Sequence, residues 1–297
     1  MALATLDEVD VRQNTKLNRM KDVLVTGAST GIGNATVSRL AKTARVFAGV
    51  RSEKDYAALG SAGPNVVPVY LDVTDPDSIA KAKAQVATAT GGRLDGVVNN
   101  AGIVVAAPLE VIEPAEFRKQ LDVNVVGPLL VTQAFLPLIH AAKGRIVTIG
   151  SISGKFATPF TGAYSISKFA VEALSDALRL ELAPFGIKVI LIEPGPVKTP
   201  IWQTTAAATQ AAMGRIPAES LAPYAGSIAK MQAFAAQLEK DGVAPDVVAA
   251  VVERALTTKS PRARYLVGSS ARAQLIIARL PEGLRDRLIL MSLARAK

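Results

Sequence analysis

Short apolar runs alternate with longer segments of three-to-four-residue spacing along most of the chain. The runs occupy residues 23–27 (VLVTG), 45–50 (RVFAGV), 66–71 (VVPVYL), 94–100 (LDGVVNN), 144–150 (GRIVTIG), 187–193 (IKVILIE) and 264–268 (RYLVG). They are rich in Val and Ile and mostly bounded by Gly, Pro or Asn, the pattern of parallel strands buried on both faces. Between them Val37, Leu40 and Ala41, then Ile79 to Val86, then Phe117 to Ile139 keep helical spacing. Gly127-Pro128 inside the last stretch predicts a break or kink. Strand–helix alternation of this kind predicts an α/β architecture: a doubly wound parallel sheet of about seven strands with right-handed crossovers. Residues 200–245 leave the alternation. They are Ala-rich and helical with no strand, which predicts an inserted helical lid beside the active face.

Composition narrows the class. The chain has 297 residues, 49% hydrophobic and 20% charged, which excludes a disordered protein. Its net charge is +9, yet no basic stripe is interleaved with aromatics, so nucleic acid is not an expected partner. The positive balance suits an anionic cofactor or an acidic membrane face. There is no cysteine, so disulfides and thiolate chemistry are excluded, and a lone His140 gives no basis for a metal site. Residues 1–20 mix charges, lack the apolar segment of a secretory signal, and read as a flexible tail; residues 21–297 read as a single folded unit. With no run of 18 apolar residues in the sequence, a cytoplasmic location is expected.

Candidate chemistry falls at the ends of the apolar runs. Thr26-Gly27-Ala28-Ser29-Thr30-Gly31-Ile32-Gly33 follows the first strand and opens a helix. Glycines there let the backbone turn tightly against phosphate, and the helix terminus supplies N–H groups. Its spacing, G-x3-G-x-G, departs from the G-x-G-x-x-G fingerprint. The second strand ends in Val50-Arg51-Ser52, a guanidinium where an acid would otherwise select a free ribose hydroxyl. That favours NADP(H), with NAD(H) still open. Asp72-Val73 closes the third strand, Asn100-Ala101-Gly102 the fourth, and Pro194 to Thr199 follows the sixth. Ser151 precedes Tyr164 and Lys168, which stand one helical turn apart. An ammonium near a phenol lowers the phenol below its usual value of about 10 and makes it a proton donor and acceptor near neutrality. Asn124 lies inside an apolar helical stretch, where a lone Asn is a satisfied core residue or marks a bend.

In this order and spacing, TGASTGIG (26–33), NNAG (99–102), Asn124, Ser151, YSISK (164–168) and Pro194-Gly195-Pro196 resemble the short-chain dehydrogenase/reductase family over roughly residues 21 to 270. FLPLI (135–139), YSISKFAVEALSDALR (164–179) and VILIEPG (189–195) resemble its retinol, 17β-hydroxysteroid and 3-hydroxybutyrate dehydrogenase branch. The resemblance implies a Rossmann fold and an oxidoreductase acting on a secondary alcohol or ketone. Tyr164 would be the acid/base, Lys168 would hold the nicotinamide ribose, and Ser151 would bond the substrate oxygen. Asn124 would hold a water linking Lys168 to solvent. Gly27, Ser29, Thr30, Gly31, Ile32 and Gly33 would take the pyrophosphate, and Arg51 the 2′-phosphate. Asp72 and Val73 would border the adenine, Asn100, Ala101 and Gly102 the adenosine ribose, and Pro194, Gly195, Val197 and Thr199 the nicotinamide.

Ser153, Phe156, Ile201 and Trp202, with other apolar side chains of the lid, would line a pocket for a bulky apolar substrate, steroid-, retinoid- or lipid-like. The segment from about 270 to 297 is amphipathic and basic. It would pack on the sheet or in a subunit contact, or lie on a membrane surface, with packing favoured. A homodimer or homotetramer is implied by the resemblance. A dinucleotide-binding regulatory protein without turnover is the reading from another class, and the full Ser151, Tyr164, Lys168 and Asn124 set argues against it.

Overall fold

The computed structural model describes residues 22–295, so the segment expected to be a flexible tail lies outside the described residues. Each apolar run becomes a strand: β1 (Asp22–Val25), β2 (Arg45–Val50), β3 (Val66–Tyr70), β4 (Gly96–Asn99), β5 (Arg145–Ile149), β6 (Lys188–Pro194) and β7 (Arg264–Val267). All pair in parallel in the order β3-β2-β1-β4-β5-β6-β7. The strand order reverses direction at β1 and β4, the switch point at which open α/β sheets bind ligands.

The helices between the strands are α1 (Gly31–Leu40), α2 (Glu53–Gly60), α3 (Pro76–Thr90), α4 (Pro114–Leu121), α5 (Gly127–Ala142) and α6 (Gly162–Leu182). The insertion holds α7 (Ile201–Met213), α8 (Ala218–Leu221) and α9 (Ala225–Asp241); α10 (Pro245–Thr257) precedes β7, and α11 (Ser269–Ala278) and α12 (Glu282–Arg295) follow it. Alternate residues of each strand feed two cores. Val23, Val25, Val46, Ala48, Val147 and Ile190 meet Val37 and Leu40 of α1 and Val252 and Leu256 of α10. Leu24, Phe47, Val97 and Ile146 meet Ile79 and Val86 of α3 and Val131, Phe135 and Ile139 of α5. A sheet covered on both faces explains why its strands are apolar throughout.

Gly127-Pro128 does not break the helix as expected. Residues Asp122–Val126 widen into a π-helical turn and α5 continues from it. Proline in the first turn of α5 is tolerated because its missing N–H falls beside the widened turn, which absorbs the extra residue. The helix 114–142 is long and apolar enough to cross a membrane by length and composition. Here Val131, Phe135, Leu138 and Ile139 bury that apolar face against the sheet.

Candidate active site

The carboxyl ends of the strands open onto one cleft of about 1700 Å³. On the β1 side, Gly27 turns with φ 62° and Gly31 with φ 57°, in the left-handed region that glycine adopts freely. A Cβ on Gly33 would stand 2.1 Å from the Gly27 carbonyl oxygen and 2.5 Å from Asn100 Nδ2, so no other residue fits there. The Asn100 amide donates to the Thr26 and Gly27 carbonyls, both at 2.9 Å. Thr26 Oγ1 accepts the Asn100 and Ala101 N–H groups, both at 3.0 Å. The end of β4 therefore staples the glycine turn, and Asn100 acts mainly on the loop rather than outward. This cradle, opening straight into the N-terminus of α1, fits a dinucleotide pyrophosphate.

Arg51 follows β2 with its side chain 67% exposed and Nη1 4.0 Å from Asp72 Oδ2. A guanidinium this free can turn toward an anionic ligand. Burial works against the Asp72 charge, but hydrogen bonds from Thr74 N (2.9 Å) and Oγ1 (2.7 Å), with Arg51, hold its carboxyl below the usual range.

Ser151, Tyr164 and Lys168 meet on the β5–α6 side and all line the cleft. Ser151 caps a short 3-10 turn, its Oγ accepting the Ser153 N–H at 3.1 Å. Lys168 Nζ donates to the Ile149 carbonyl at 2.8 Å and lies 5.6 Å from the centre of the Tyr164 ring. Burial pushes the Lys168 amine down to about 8, with the Glu172 charge opposing. Burial also pushes the Tyr164 phenol up, and a hydrogen bond with Ser151 pulls it back. The expected lowering of the phenol by Lys168 is not seen: burial of the phenol sets the direction, and Ser151 is what opposes it.

Every other sequence-picked residue lines the cleft except two: Gly33, which packs beneath the turn, and Asn124. Asn124 is 2% exposed, and its amide bonds the Ile103 N–H (2.9 Å), the Ile103 carbonyl (3.0 Å) and Ser167 Oγ (3.1 Å). Its side chain fixes residue 103 to α6 through these three hydrogen bonds.

Ser153, Phe156, Ile201 and Trp202 line the far side with Met213, Ile228, Met231 and Phe234 of the insertion. Sequence reasoning missed the rest of that wall: Gln274, Ile277, Leu288, Ile289 and Leu293 of α11 and α12 also face the cleft. Amphipathicity was the signal, but it does not say which neighbour an apolar stripe meets. Phe160 adopts φ 65°, rare for a bulky residue, and packs edge-on to Tyr224 of the insertion at 5.9 Å.

A glycine cradle at the switch point facing a Ser-Tyr-Lys group defines a nucleotide-binding α/β oxidoreductase. Residues 21–210 match the short chain dehydrogenase family model. The NADPH-dependent 3-dehydrocapnine reductase of Ornithobacterium rhinotracheale is 36% identical over 256 residues, covering 84% of this chain and 88% of that protein. Human retinol dehydrogenase 5 is 35% identical over 280 residues, covering 90% and 87%. The crystal structure of a short chain dehydrogenase from Burkholderia cenocepacia J2315 in complex with NADP superposes with TM-score 0.70 at 27% identity, over 91% of this chain and 98% of that one. The chain belongs to the short-chain dehydrogenase/reductase family and is an NAD(P)-dependent oxidoreductase.

Proposed function

We propose that the protein transfers a hydride between NADP(H) and a bulky, apolar secondary alcohol or ketone. The observation that carries this reading is the convergence of Ser151, Tyr164 and Lys168 in a cleft whose far wall is apolar side chains. The glycine turn and residues 194–199 would hold the cofactor, and Arg51 its 2′-phosphate; the NADPH dependence in one relative's name supports that preference. Bound there, the cofactor supplies or accepts the hydride.

The protein's own part is position and protons. Ser151 Oγ bonds the substrate oxygen and aims the reacting carbon. The Tyr164 phenol gives a proton to that oxygen in reduction and takes it in oxidation. Lys168 resupplies the phenol and steadies its anion. Exposed Ile166, Phe169 and Leu180 on α6 and Val126 before α5 support self-association as a homodimer or homotetramer.

Tyr164→Phe tests the reading. The variant is expected to fold and bind NADPH with unchanged affinity, and to lose kcat by about a thousandfold or more in a ketone-panel assay of nicotinamide absorbance. Turnover within about tenfold of wild type removes Tyr164 from its role. Arg51→Asp is expected to move the NADP/NAD ratio of kcat/KM toward NAD; an unchanged ratio removes Arg51 from cofactor choice.

A further inference from the structure

Behind the Ser-Tyr-Lys group lies a cluster of charges that hydride transfer does not use. Lys155 leaves the 3-10 turn that begins after Ser151, and its Nζ stands 2.6 Å from Glu172 Oε2 and 2.7 Å from Glu193 Oε1. Glu172 sits on α6 one turn beyond Lys168, and Glu193 on β6 immediately before Pro194-Gly195. One amine thus ties the Ser151 loop to the helix of Tyr164 and Lys168 and to the strand that leads into the 194–199 loop. The contact is close along its length, since a Cβ on Gly154 would stand 2.9 Å from the Lys168 carbonyl and 3.0 Å from Glu172 Cγ.

Arg264 of β7 backs the same carboxylate from the other side, 3.1 Å from Glu172 Oε2 and 2.8 Å from Asp176 Oδ2. It reaches α6 and stands 3.9 Å from Glu193, without touching the Ser151 loop. A buried ion cluster is a weak source of net stability, because desolvation offsets attraction, but its geometry is exacting.

We propose that Lys155, acting through Glu172 and Glu193, is a positioning residue that sets Ser151 against Tyr164 and Lys168. The inference rests on the roles proposed for those three residues. Lys168 feels the cluster through Glu172, whose charge opposes the effect of burial on the amine. From β5 it meets the neutral Ile149 carbonyl, and on its own helix the Tyr164 ring lies 5.6 Å away. Lys155, Arg264, Glu193 and Asp176 act on Lys168 by shielding or reinforcing Glu172. Burial pushes the Glu193 carboxyl up, contact with Glu172 adds to that and Lys155 pulls it back, so losing the Lys155 charge lets this pair take up a proton, whereas losing the Glu172 charge abolishes its field at Lys168.

The test uses Lys155→Met and Glu172→Gln in the full chain, with NADPH and a ketone the wild type reduces. Each is expected to lower kcat by about tenfold while the NADPH Kd stays within about threefold. The alkaline limb of kcat for reduction is expected to move down in Glu172→Gln, which removes the one charge that raises Lys168. Lys155→Arg restores most of the rate. Amide exchange at residues 153–155 of the protein without substrate speeds up in Lys155→Met. An unchanged kcat in either variant, or a limb that stays fixed in Glu172→Gln, overturns the proposal even if Tm falls. If Lys155→Met does not fold, the isosteric Glu172→Gln carries the decision through its rate and its limb. Tyr164→Phe is measured beside them. Wild-type turnover in that variant sinks the reading of the whole site, whereas an inactive Tyr164→Phe with a normal Lys155→Met sinks this inference alone.

Discussion

At Gly33 a single added methyl would meet a carbonyl oxygen at 2.1 Å, whereas across the cleft α9 runs 17 residues without fully burying one of them. The cofactor side is shaped by backbone: strand ends, staples from Thr26 and Asn100, and two dense cores beneath. The lid side rests on exposed polar contacts. Arg215 pairs with Glu113 at 3.0 Å and Glu116 at 2.8 Å, Tyr224 Oη bonds the Glu110 carboxylate, and Gln203 bonds Glu239 at 2.7 Å. Exposed pairs of that kind contribute little, because water screens them and ordering the side chains offsets the attraction. The contrast teaches that the glycine turn and the Ser-Tyr-Lys group sit where the fold is stiffest, while the apolar wall opposite belongs to the part held most loosely.

Four perturbations sharpen or break that contrast. Gly33→Ala should hit hardest: overpacking costs about 1–3 kcal/mol of stability, read by denaturant unfolding, and NADPH affinity falls about a hundredfold by titration. An alanine tolerated without loss would show the cradle to be pliable. Next comes pH. Lys168 is pushed down to about 8, so its cation is lost as pH rises through that value, and kcat for reduction should fall above it. The same shift means the fold disfavours the charged amine, so its penalty on stability is present below about pH 8 and lifts above it. A reduction rate that is flat to pH 10 would contradict the assignment.

Third, Met231→Ala should raise KM about three- to tenfold for large apolar ketones and leave small ones unaffected, with little change in Tm. An equal effect on small and large ketones would mean the lid does not read size. Smallest is Arg215→Ala, whose paired side chain is 46% exposed. It should change KM by less than about threefold and lose even that in high salt.

The sheet and the cofactor edge were legible because their constraints are local. A strand buried on both faces must be apolar throughout, and a turn against phosphate must be glycine, so β2 and Gly27 to Gly33 announce themselves residue by residue. Asn124 was legible as a buried polar group but not as a brace for Ile103, because its partner lies far off in sequence. The Lys155 to Glu193 contact was invisible for the same reason, since it joins three elements through side chains. The α11 and α12 wall was unreadable because an amphipathic stripe names no neighbour. The continuous helix through Gly127-Pro128 depended on a π turn that no composition rule signals.

Val197 and Val243 pair as a short parallel bridge, with Lys198 N donating to the Val243 carbonyl at 2.9 Å and Val243 N to that of Pro196 at 3.0 Å. The insertion thus enters and leaves the scaffold through one doorway. With both ends pinned to each other, the helices between them can be trimmed or lengthened like a cartridge without displacing the loop that follows β6.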